Sequence, residues 1–191
     1  GSFDFSIDNR YLVSDYSGIL DGELSGASKK FSFVIRFKRS LINGSYQTIF
    51  SRDNNTGGRQ FAIEFDDTNR LVLYLFTTAA SYTSWTTNLA YMNTGKWYSL
   101  VFTYDGTLAL ANRVKGYMDG SLVTLNRVDT SAGLSTIQSV PLEPVYIAVT
   151  NYGGLINDFK GYLNKIIFYT DVLTQGDVTL LYNSGNEVNE K

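Results

Sequence analysis

Glu64 and Asp66 are the two carboxylates whose spacing comes closest to that of a catalytic pair. They alternate in Glu64-Phe65-Asp66, so both side chains are expected on one face of a strand. Glycoside hydrolases place two carboxylates around the scissile bond, about 5 to 5.5 Å apart in retaining enzymes. The alternation fails after Asp66, because the next position on that face is Thr68, which is not an acid. We therefore assign no catalytic residue and predict that the chain is not an enzyme, with this pair forming an exposed strand edge that leads into a polar turn.

The residue types missing from the sequence exclude several classes of chemistry. The 191 residues contain no His and no Cys, which removes imidazole bases, His-ligated zinc, thiol nucleophiles and disulfides. The formal net charge is −2, and no run of Lys or Arg could follow a phosphate backbone, so no nucleic-acid partner is predicted. No apolar run approaches the roughly 20 residues of a membrane helix, so no membrane insertion is predicted.

Several aromatic and polar residues suit a surface that binds sugars. A pyranose stacks its C–H face on an aromatic ring, while its hydroxyl groups form directional hydrogen bonds with amides and carboxylates. The aromatics that the predicted core needs least, together with the polar residues near them in sequence, give the predicted ligand-binding set: Tyr82, Trp85, Asn151, Tyr152, Asp53, Asn54 and Asn55. The alternative is that each aromatic is partly buried and has its own polar group satisfied within the fold.

Alternation of apolar and polar residues predicts a β protein. Residues 31–38 and 97–104 place aromatic and aliphatic side chains at every second position, as in half-buried strands. Asp119-Gly120 suits a tight hairpin turn after a strand at 114–118. Further strands are predicted at 5–13, 46–52, 61–65, 71–76, 82–89, 121–127, 145–150 and 159–169, with loops at 16–30 and 53–58.

One short helix is predicted near the C-terminus, within residues 170–182. Thr174 precedes Asp177 by three, which is typical of a capping box, and Asn183 and Gly185 suit its end. Many short strands with turn signals about every 8 to 12 residues predict an all-β, two-sheet antiparallel jelly roll sandwich. We expect a single domain over residues 1–191, with Gly1-Ser2 a cloning scar.

The order of these motifs resembles the laminin G-like, concanavalin A-like lectin and glucanase jelly roll family. The resemblance spans nearly the whole chain and implies two curved antiparallel sheets with the first and last strands adjacent. The motifs that carry it are Phe31-Ser32-Phe33, Gly95-Lys96-Trp97-Tyr98, Phe102-Thr103-Tyr104-Asp105-Gly106, Tyr117-Met118-Asp119-Gly120, then Phe159, Gly161 and Leu163 before Leu173-Thr174 and Leu181-Tyr182.

The chain departs from the family pattern where a calcium ligand is common. Asn164-Lys165 stands in place of an Asp-Glu pair, and Arg36 stands where a Trp is usual. If the first and last strands are neighbours, as the resemblance implies, Asp8 and Asn9 would meet Asn164 and offer oxygen ligands to calcium. These three residues are the predicted metal ligands, and a structural calcium is the only cofactor considered. The alternative is a bulge at Asp8-Asn9 with no metal.

The resemblance, together with the missing catalytic groups, leads to three hypotheses about function. The first is a non-catalytic, lectin-like carbohydrate-binding module of a secreted, cell-surface or virion-surface protein, with a glycan or glycoprotein as partner. The module would be part of a larger multidomain or oligomeric protein. The alternative is a protein-binding adhesion or structural module, as in an adhesin or a phage tail fibre. The third, a glycoside hydrolase, would depend on Glu64 or Asp66.

Overall fold

The chain forms two stacked β-sheets in a computed structural model that describes residues 1–7, 10–14, 18–54, 58–88, 93–130 and 133–183. The strands within these residues are β1 (Phe3–Asp4), β2 (Leu12–Ser14), β3 (Lys30–Arg39), β4 (Gln47–Asn54), β5 (Gly58–Phe65), β6 (Leu71–Phe76), β7 (Tyr82–Thr87), β8 (Trp97–Asp105), β9 (Val114–Met118), β10 (Ser121–Val123), β11 (Leu125–Asp129), β12 (Val145–Ile147), β13 (Thr150–Asn151), β14 (Leu155–Ile156) and β15 (Gly161–Tyr169). The helices are α1 (Gly18–Leu24), a single 3-10 turn at Leu110–Asn112, and α2 (Gln175–Tyr182). No helix of the described residues is long and apolar enough to span a membrane.

The strand order is that of a jelly roll sandwich. The first sheet runs β1-β15-β3-β8-β9-β10, and the second runs β11-β7-β6-β5-β4-β12-β2, with β13 beside β4 and β14 beside β13. Every pair along these two paths is antiparallel, whereas β13 meets β4 in parallel. Pairing of β1 with β15 makes the first and last strands neighbours. The predicted fold class is therefore confirmed.

The core between the sheets is largely aromatic. Phe33 on β3 packs against Phe50 and Phe61 of the second sheet, with ring centroids 5.7 and 5.0 Å away. The alternation predicted for residues 31–38 and 97–104 is confirmed, because one set of side chains from each strand is buried in this core: Phe31, Phe33, Ile35, Phe37, Tyr98, Leu100, Phe102 and Tyr104. Burial of this apolar area is the main term that stabilises the sandwich.

The helix α2 covers the outer face of the first sheet. Its Val178 is buried against Val34, Val101 and Tyr117, which project from β3, β8 and β9. Thr174 forms the predicted capping box with Asp177, and Asn183 ends the helix in the left-handed conformation with φ 38°.

A buried polar network joins α1 to the second sheet. Arg52 is fully buried, and its guanidinium donates to Asp21 at 3.4 Å and to Gln60 at 3.0 Å. Asp21 also accepts hydrogen bonds from Ser139 Oγ at 2.7 Å and from the backbone N–H of Val140 at 2.6 Å. Buried charges need partners of this kind, because an unpaired one would bear its full desolvation cost.

Several predicted boundaries are wrong. Residues 5–13 do not form one strand, because residues 5–7 are outside any strand and Leu12 and Val13 belong to β2 of the second sheet. Residues 16–30 contain α1 in addition to loop, so a second helix accompanies the predicted C-terminal one. Residues 121–127 divide into β10 and β11 at Thr124, where the chain again changes sheet. Residues 145–150 are interrupted at Ala148, whose φ of 66° ends the extended conformation.

Candidate functional site

A pocket of 230 Å³ opens on the outer face of the second sheet. Phe61 and Ile63 of β5 lie in the core, so the alternating residues Ala62 and Glu64 point to the opposite face. Four neighbouring strands and the turn between β13 and β14 contribute to this pocket. We call it the Tyr152 pocket, and its lining residues are Asp53, Arg59, Ala62, Glu64, Tyr74, Phe76, Tyr82 and Tyr152.

A β-bulge at Gln60 directs Arg59 toward the pocket. Arg52 pairs with Phe61, but the next residue, Asp53, pairs with Arg59, so Gln60 has no partner across the ladder. The Gln60 side chain is fully buried and donates to Asp21 at 3.0 Å, within the network described above. The extra residue therefore lets the Gln60 side chain join the buried network, while Arg59 remains beside Asp53 in the pocket.

Arg59 is held in place by contacts with several neighbours. Its Nε donates to Asp53 Oδ1 at 2.7 Å and its Nη2 donates to Oδ2 at 3.0 Å, a bidentate pair. Its Nη1 donates to the Ala79 carbonyl at 3.3 Å. The guanidinium carbon lies 4.0 Å from the ring centroid of Phe76 and 4.9 Å from that of Tyr152. Arg59 thus fixes the positions of a carboxylate and an aromatic ring at the pocket.

Glu64 lines the pocket with only 8% of its surface exposed. Thr48 Oγ1 donates to Glu64 Oε2 at 3.0 Å, and within the described residues this is the only hydrogen bond to its carboxyl group. Burial raises the pKa of Glu64 to about 7, although the Thr48 hydrogen bond acts in the opposite direction. The predicted exposed strand edge is wrong for Glu64, because β5 lies between β4 and β6.

Tyrosine side chains form the walls around these charged groups. The rings of Tyr74 and Tyr82 meet edge to face, with centroids 5.2 Å apart and planes at 72°. Burial raises the pKa of the Tyr74 hydroxyl, and the nearby Glu64 charge raises it further. Tyr152 is 45% exposed, so one of its faces is available to a ligand while Arg59 contacts its ring. The pocket therefore combines aromatic planes with hydroxyl and carboxyl groups.

The structure brings three of the predicted ligand-binding residues together. Tyr82, Tyr152 and Asp53 all line the Tyr152 pocket, although they are far apart in sequence. Asn54 and Asn151 are paired residues on β4 and β13 beside it, and their amides donate to Glu143 Oε2 and Tyr146 Oη, both at 3.0 Å. Asn55 lies outside the described residues. Asp53 and Asn54 belong to β4 and not to the predicted loop at 53–58.

Trp85 does not belong to this surface, so its predicted exposure is wrong. Its side chain is 2% exposed and packs in the core between the sheets. Trp85 pairs with Leu73, a core residue of β6, whereas Tyr82 pairs with Phe76 on the outer face. The two aromatics of β7 are three positions apart, so they project to opposite faces of the strand. The Trp85 indole N–H has no hydrogen-bond acceptor among the described residues.

Asp66 has a structural role in the turn after β5. Its Oδ1 accepts hydrogen bonds from the backbone N–H groups of Thr68 and Arg70, both at 2.9 Å, and Arg70 Nε donates to Oδ2 at 2.9 Å. Burial acts to raise the pKa of Asp66, but these hydrogen bonds outweigh it and lower the pKa below its usual value. Asp66 is thus committed to the hairpin, and it does not line the Tyr152 pocket with Glu64.

Of the predicted metal ligands, Asn164 lies on β15 of the first sheet and does not line the Tyr152 pocket. Asn164 occupies the bulge between Leu163 and Lys165 in β15, and its Nδ2 donates to the Gly1 carbonyl at 2.9 Å. Asp8 and Asn9 lie outside the described residues. No group of three His, Cys, Asp or Glu side chains in the described ranges could hold a metal ion. Calcium binding by Asp8, Asn9 and Asn164 therefore stays a prediction.

Arg59, Tyr74 and Phe76 are pocket residues that the sequence analysis missed. Tyr74 is the one residue of the strand LVLYLF with a hydroxyl group, and this was a usable signal for an outward, polar position. Arg59 gave no comparable signal, because its direction depends on the bulge at Gln60. Glu64 was considered only as part of a catalytic pair and not as a single carboxyl group in a pocket.

Comparison with known proteins shows the family and the fold. The sequence model of the concanavalin A-like lectin/glucanases superfamily matches residues 14–179. No curated protein sequence matches the chain. The carbohydrate-binding module CBM40 of Ruminococcus gnavus IT-sialidase, solved with alpha2,3 sialyllactose, has 20% identity and a TM-score of 0.62, covering 82% of this chain and 84% of that one.

Two further structures share the fold over almost the whole chain. A heptameric SAP-like pentraxin from Limulus polyphemus has 18% identity and a TM-score of 0.60, covering 99% of this chain and 87% of that one. The binding domain of botulinum neurotoxin serotype G has 17% identity and a TM-score of 0.66, covering 95% of this chain and 41% of that one. At these identities the similarity extends to the fold alone.

Proposed function

Because the chain belongs to the concanavalin A-like lectin/glucanases superfamily, we propose that it is a non-catalytic, lectin-like module that binds carbohydrate in the Tyr152 pocket. The observation that carries this proposal is the convergence of Tyr82, Tyr152 and Asp53 with Glu64 in one pocket. These residues come from separate strands and a turn, so the sequence alone does not require them to meet. A glycan or glycoprotein is the proposed partner.

The chemistry of the pocket matches what a sugar needs. Tyr152 offers an exposed ring on which the C–H face of a pyranose can stack, and Tyr74 and Tyr82 add hydroxyl groups. Glu64 accepts a single hydrogen bond within the described residues, so its carboxyl group can accept one from a sugar hydroxyl. Arg59 holds Tyr152 in place, which reduces the ordering cost of binding.

The state of the two pocket carboxylates supports binding over catalysis. Both oxygens of Asp53 are engaged by Arg59, at 2.7 and 3.0 Å, which makes Asp53 a poor nucleophile. Glu64 would then act alone, whereas glycoside hydrolysis uses two carboxyl groups. The hydrolase hypothesis based on Glu64 and Asp66 is not supported, because Asp66 is committed to its turn.

The structural neighbours support a glycan partner and an extracellular location. CBM40 was solved with alpha2,3 sialyllactose, and botulinum neurotoxin type C depends on interaction with two ganglioside molecules to enter cells. Both proteins belong to larger assemblies of domains: one is part of a sialidase, and our chain covers 37% of the neurotoxin chain. By analogy, we infer a module of a larger secreted, cell-surface or virion-surface protein.

The proposal can be tested by measuring how the chain binds to a broad glycan array. The wild-type chain should bind saccharide, and Tyr152→Ala should weaken that binding about tenfold or more, because it removes the stacking surface. Tyr162→Ala is the matched control, since Tyr162 lies on β15 of the other sheet, beside Lys38. The proposal is wrong if no glycan binds, or if the two variants lose affinity equally.

Exposed apolar residues at the N-terminal edge favour a second candidate, a protein-binding adhesion module. Phe3 and Ile7 are 61% and 56% exposed, and Leu12 and Val13 of the edge strand β2 are 41% and 45% exposed. Exposed apolar side chains beside an edge strand can pair with another chain. Solution scattering that shows a stable oligomer, lost on Val13→Lys, would favour this function, whereas a monomer at all concentrations would count against self-association.

A further inference from the structure

The one basic side chain that lines the Tyr152 pocket is already engaged within the protein, so it is not available to pair with an acidic ligand. Arg59 is the one basic residue among those that line the pocket, and Asp53 and Glu64 are its acidic residues. Three nitrogens of Arg59 already donate hydrogen bonds, two of them to Asp53. The Arg59–Asp53 pair is neutral as a unit, so Glu64 determines the net charge of the pocket.

Glu64 is placed to meet a hydrogen-bond donor on the ligand. Its Oε2 accepts from Thr48 at 3.0 Å, and no donor from the described residues reaches its other oxygen. The side chain is 8% exposed, so a bound sugar would remove what contact it has with water. A sugar hydroxyl can replace that water by donating to the carboxylate, whereas a ligand carboxylate or sulfate brings a second negative charge.

We propose that the Tyr152 pocket binds uncharged saccharide units and rejects those that carry a carboxylate, sulfate or phosphate group. The inference rests on the proposed function and specifies its ligand class. It separates this chain from CBM40, whose solved complex contains the acidic sugar of sialyllactose. The shared fold, at 20% identity, does not transfer that ligand to this pocket.

The strength of the selection should depend on the ionisation of Glu64. Burial raises its pKa to about 7, so the carboxyl group is mainly neutral at pH 6 and mainly ionised at pH 8. The charges and titratable groups around it are Asp53 on β4, Arg59 on β5, Tyr74 on β6, Tyr82 on β7, Tyr46 just before β4 and Asp66 in the turn after β5. Like charges brought together at a desolvated site are strongly disfavoured, so acidic glycans should be rejected most firmly at pH 8.

The test compares neutral glycans with their sialylated and sulfated counterparts by calorimetric titration at pH 8. The neutral member of each pair should bind roughly tenfold or more tightly, and Glu64→Gln should reduce that ratio toward one. Glu23→Gln is the matched control, because it removes an exposed carboxylate on α1, away from the pocket. An unchanged ratio in Glu64→Gln overturns the inference.

The outcomes separate this inference from the proposed function. If acidic glycans bind the wild-type chain more tightly, and Tyr152→Ala abolishes that binding, the module binds carbohydrate but the inference is overturned. If no glycan of either charge binds, both are overturned. Preference for neutral glycans that is lost in Glu64→Gln and kept in Glu23→Gln supports the inference.

Discussion

Glu64→Gln replaces a buried carboxyl group by an uncharged amide of nearly the same shape. The pKa of Glu64 is raised by burial from an ordinary value of 4.5 to about 7 in the folded chain. At low pH the carboxyl group of Glu64 is protonated in both the folded and the unfolded chain, so it does not destabilise the fold. As the pH rises through 7, the free energy of unfolding decreases, because ionising Glu64 costs more in the pocket than in the unfolded chain.

The size of the effect follows from the two pKa values. A shift of one pKa unit corresponds to about 1.4 kcal/mol, so the change from 4.5 to about 7 has a limit of roughly 3 to 4 kcal/mol. Between pH 5 and pH 8, about 2 to 3 kcal/mol of this appears as a decrease in the free energy of unfolding. For a chain of this length, that is roughly 5 to 10 °C in Tm.

The assay is urea or thermal unfolding of the wild type and of Glu64→Gln at pH 5, 6, 7 and 8. The wild type should lose about 2 to 3 kcal/mol more of its unfolding free energy than the variant over this range, and groups common to both cancel in the difference. The free energy of unfolding of the variant should therefore increase relative to that of the wild type as the pH rises. Parallel profiles would refute the reasoning, since they would mean that Glu64 titrates normally and is solvated in the folded state.

Three further predictions concern stability. Arg52→Met should cost about 3 to 5 kcal/mol of unfolding free energy in urea titrations, because it leaves the buried Asp21 carboxylate without its cationic partner; a cost below about 1 kcal/mol would contradict this. Gly161→Ala should destabilise the chain by several kcal/mol, since its new Cβ would clash with the backbone carbonyl oxygen of Lys38. Gly22→Ala is its matched control, because that Cβ meets nothing within 4 Å in α1 and should be neutral or slightly stabilising in the same assay. Calcium should raise the Tm relative to EDTA if the predicted ligands at the N-terminal corner bind it, and an unchanged Tm would rule the site out.

The sequence predicted the fold well because the fold depends on local patterns. The period-2 alternation in residues 31–38 and 97–104 identifies the two central strands of the first sheet, and both bury the predicted face. The hairpin turn at Asp119-Gly120 has positive φ at both residues, as that dipeptide favours. The errors occur where the chain leaves one sheet for the other, as at Thr124, because local alternation carries no information about which sheet a strand joins.

The candidate site was less predictable because it depends on register. Tyr82 and Trp85 are both aromatic residues in a Ser- and Thr-rich strand. Through the pairing with β6, Tyr82 lies in the pocket and Trp85 lies in the core. Asp53 was predicted for its polarity in a loop, whereas it acts from a strand through its pair with Arg59. Convergence of residues from four strands and a turn depends on long-range pairing, which composition and spacing do not determine.

The bulge at Gln60 links the interior of the protein to its proposed binding surface. In a regular ladder, Gln60 would share the face of Ala62 and Glu64, and Arg59 would point inward. The extra residue instead places the Gln60 amide in the buried network of Asp21 and Arg52, where it makes a 3.0 Å hydrogen bond with each. Arg59 is then on the outer face, where it orients Asp53 and Tyr152. Because one bulge satisfies both requirements, the buried polar network stabilises the register that forms the Tyr152 pocket.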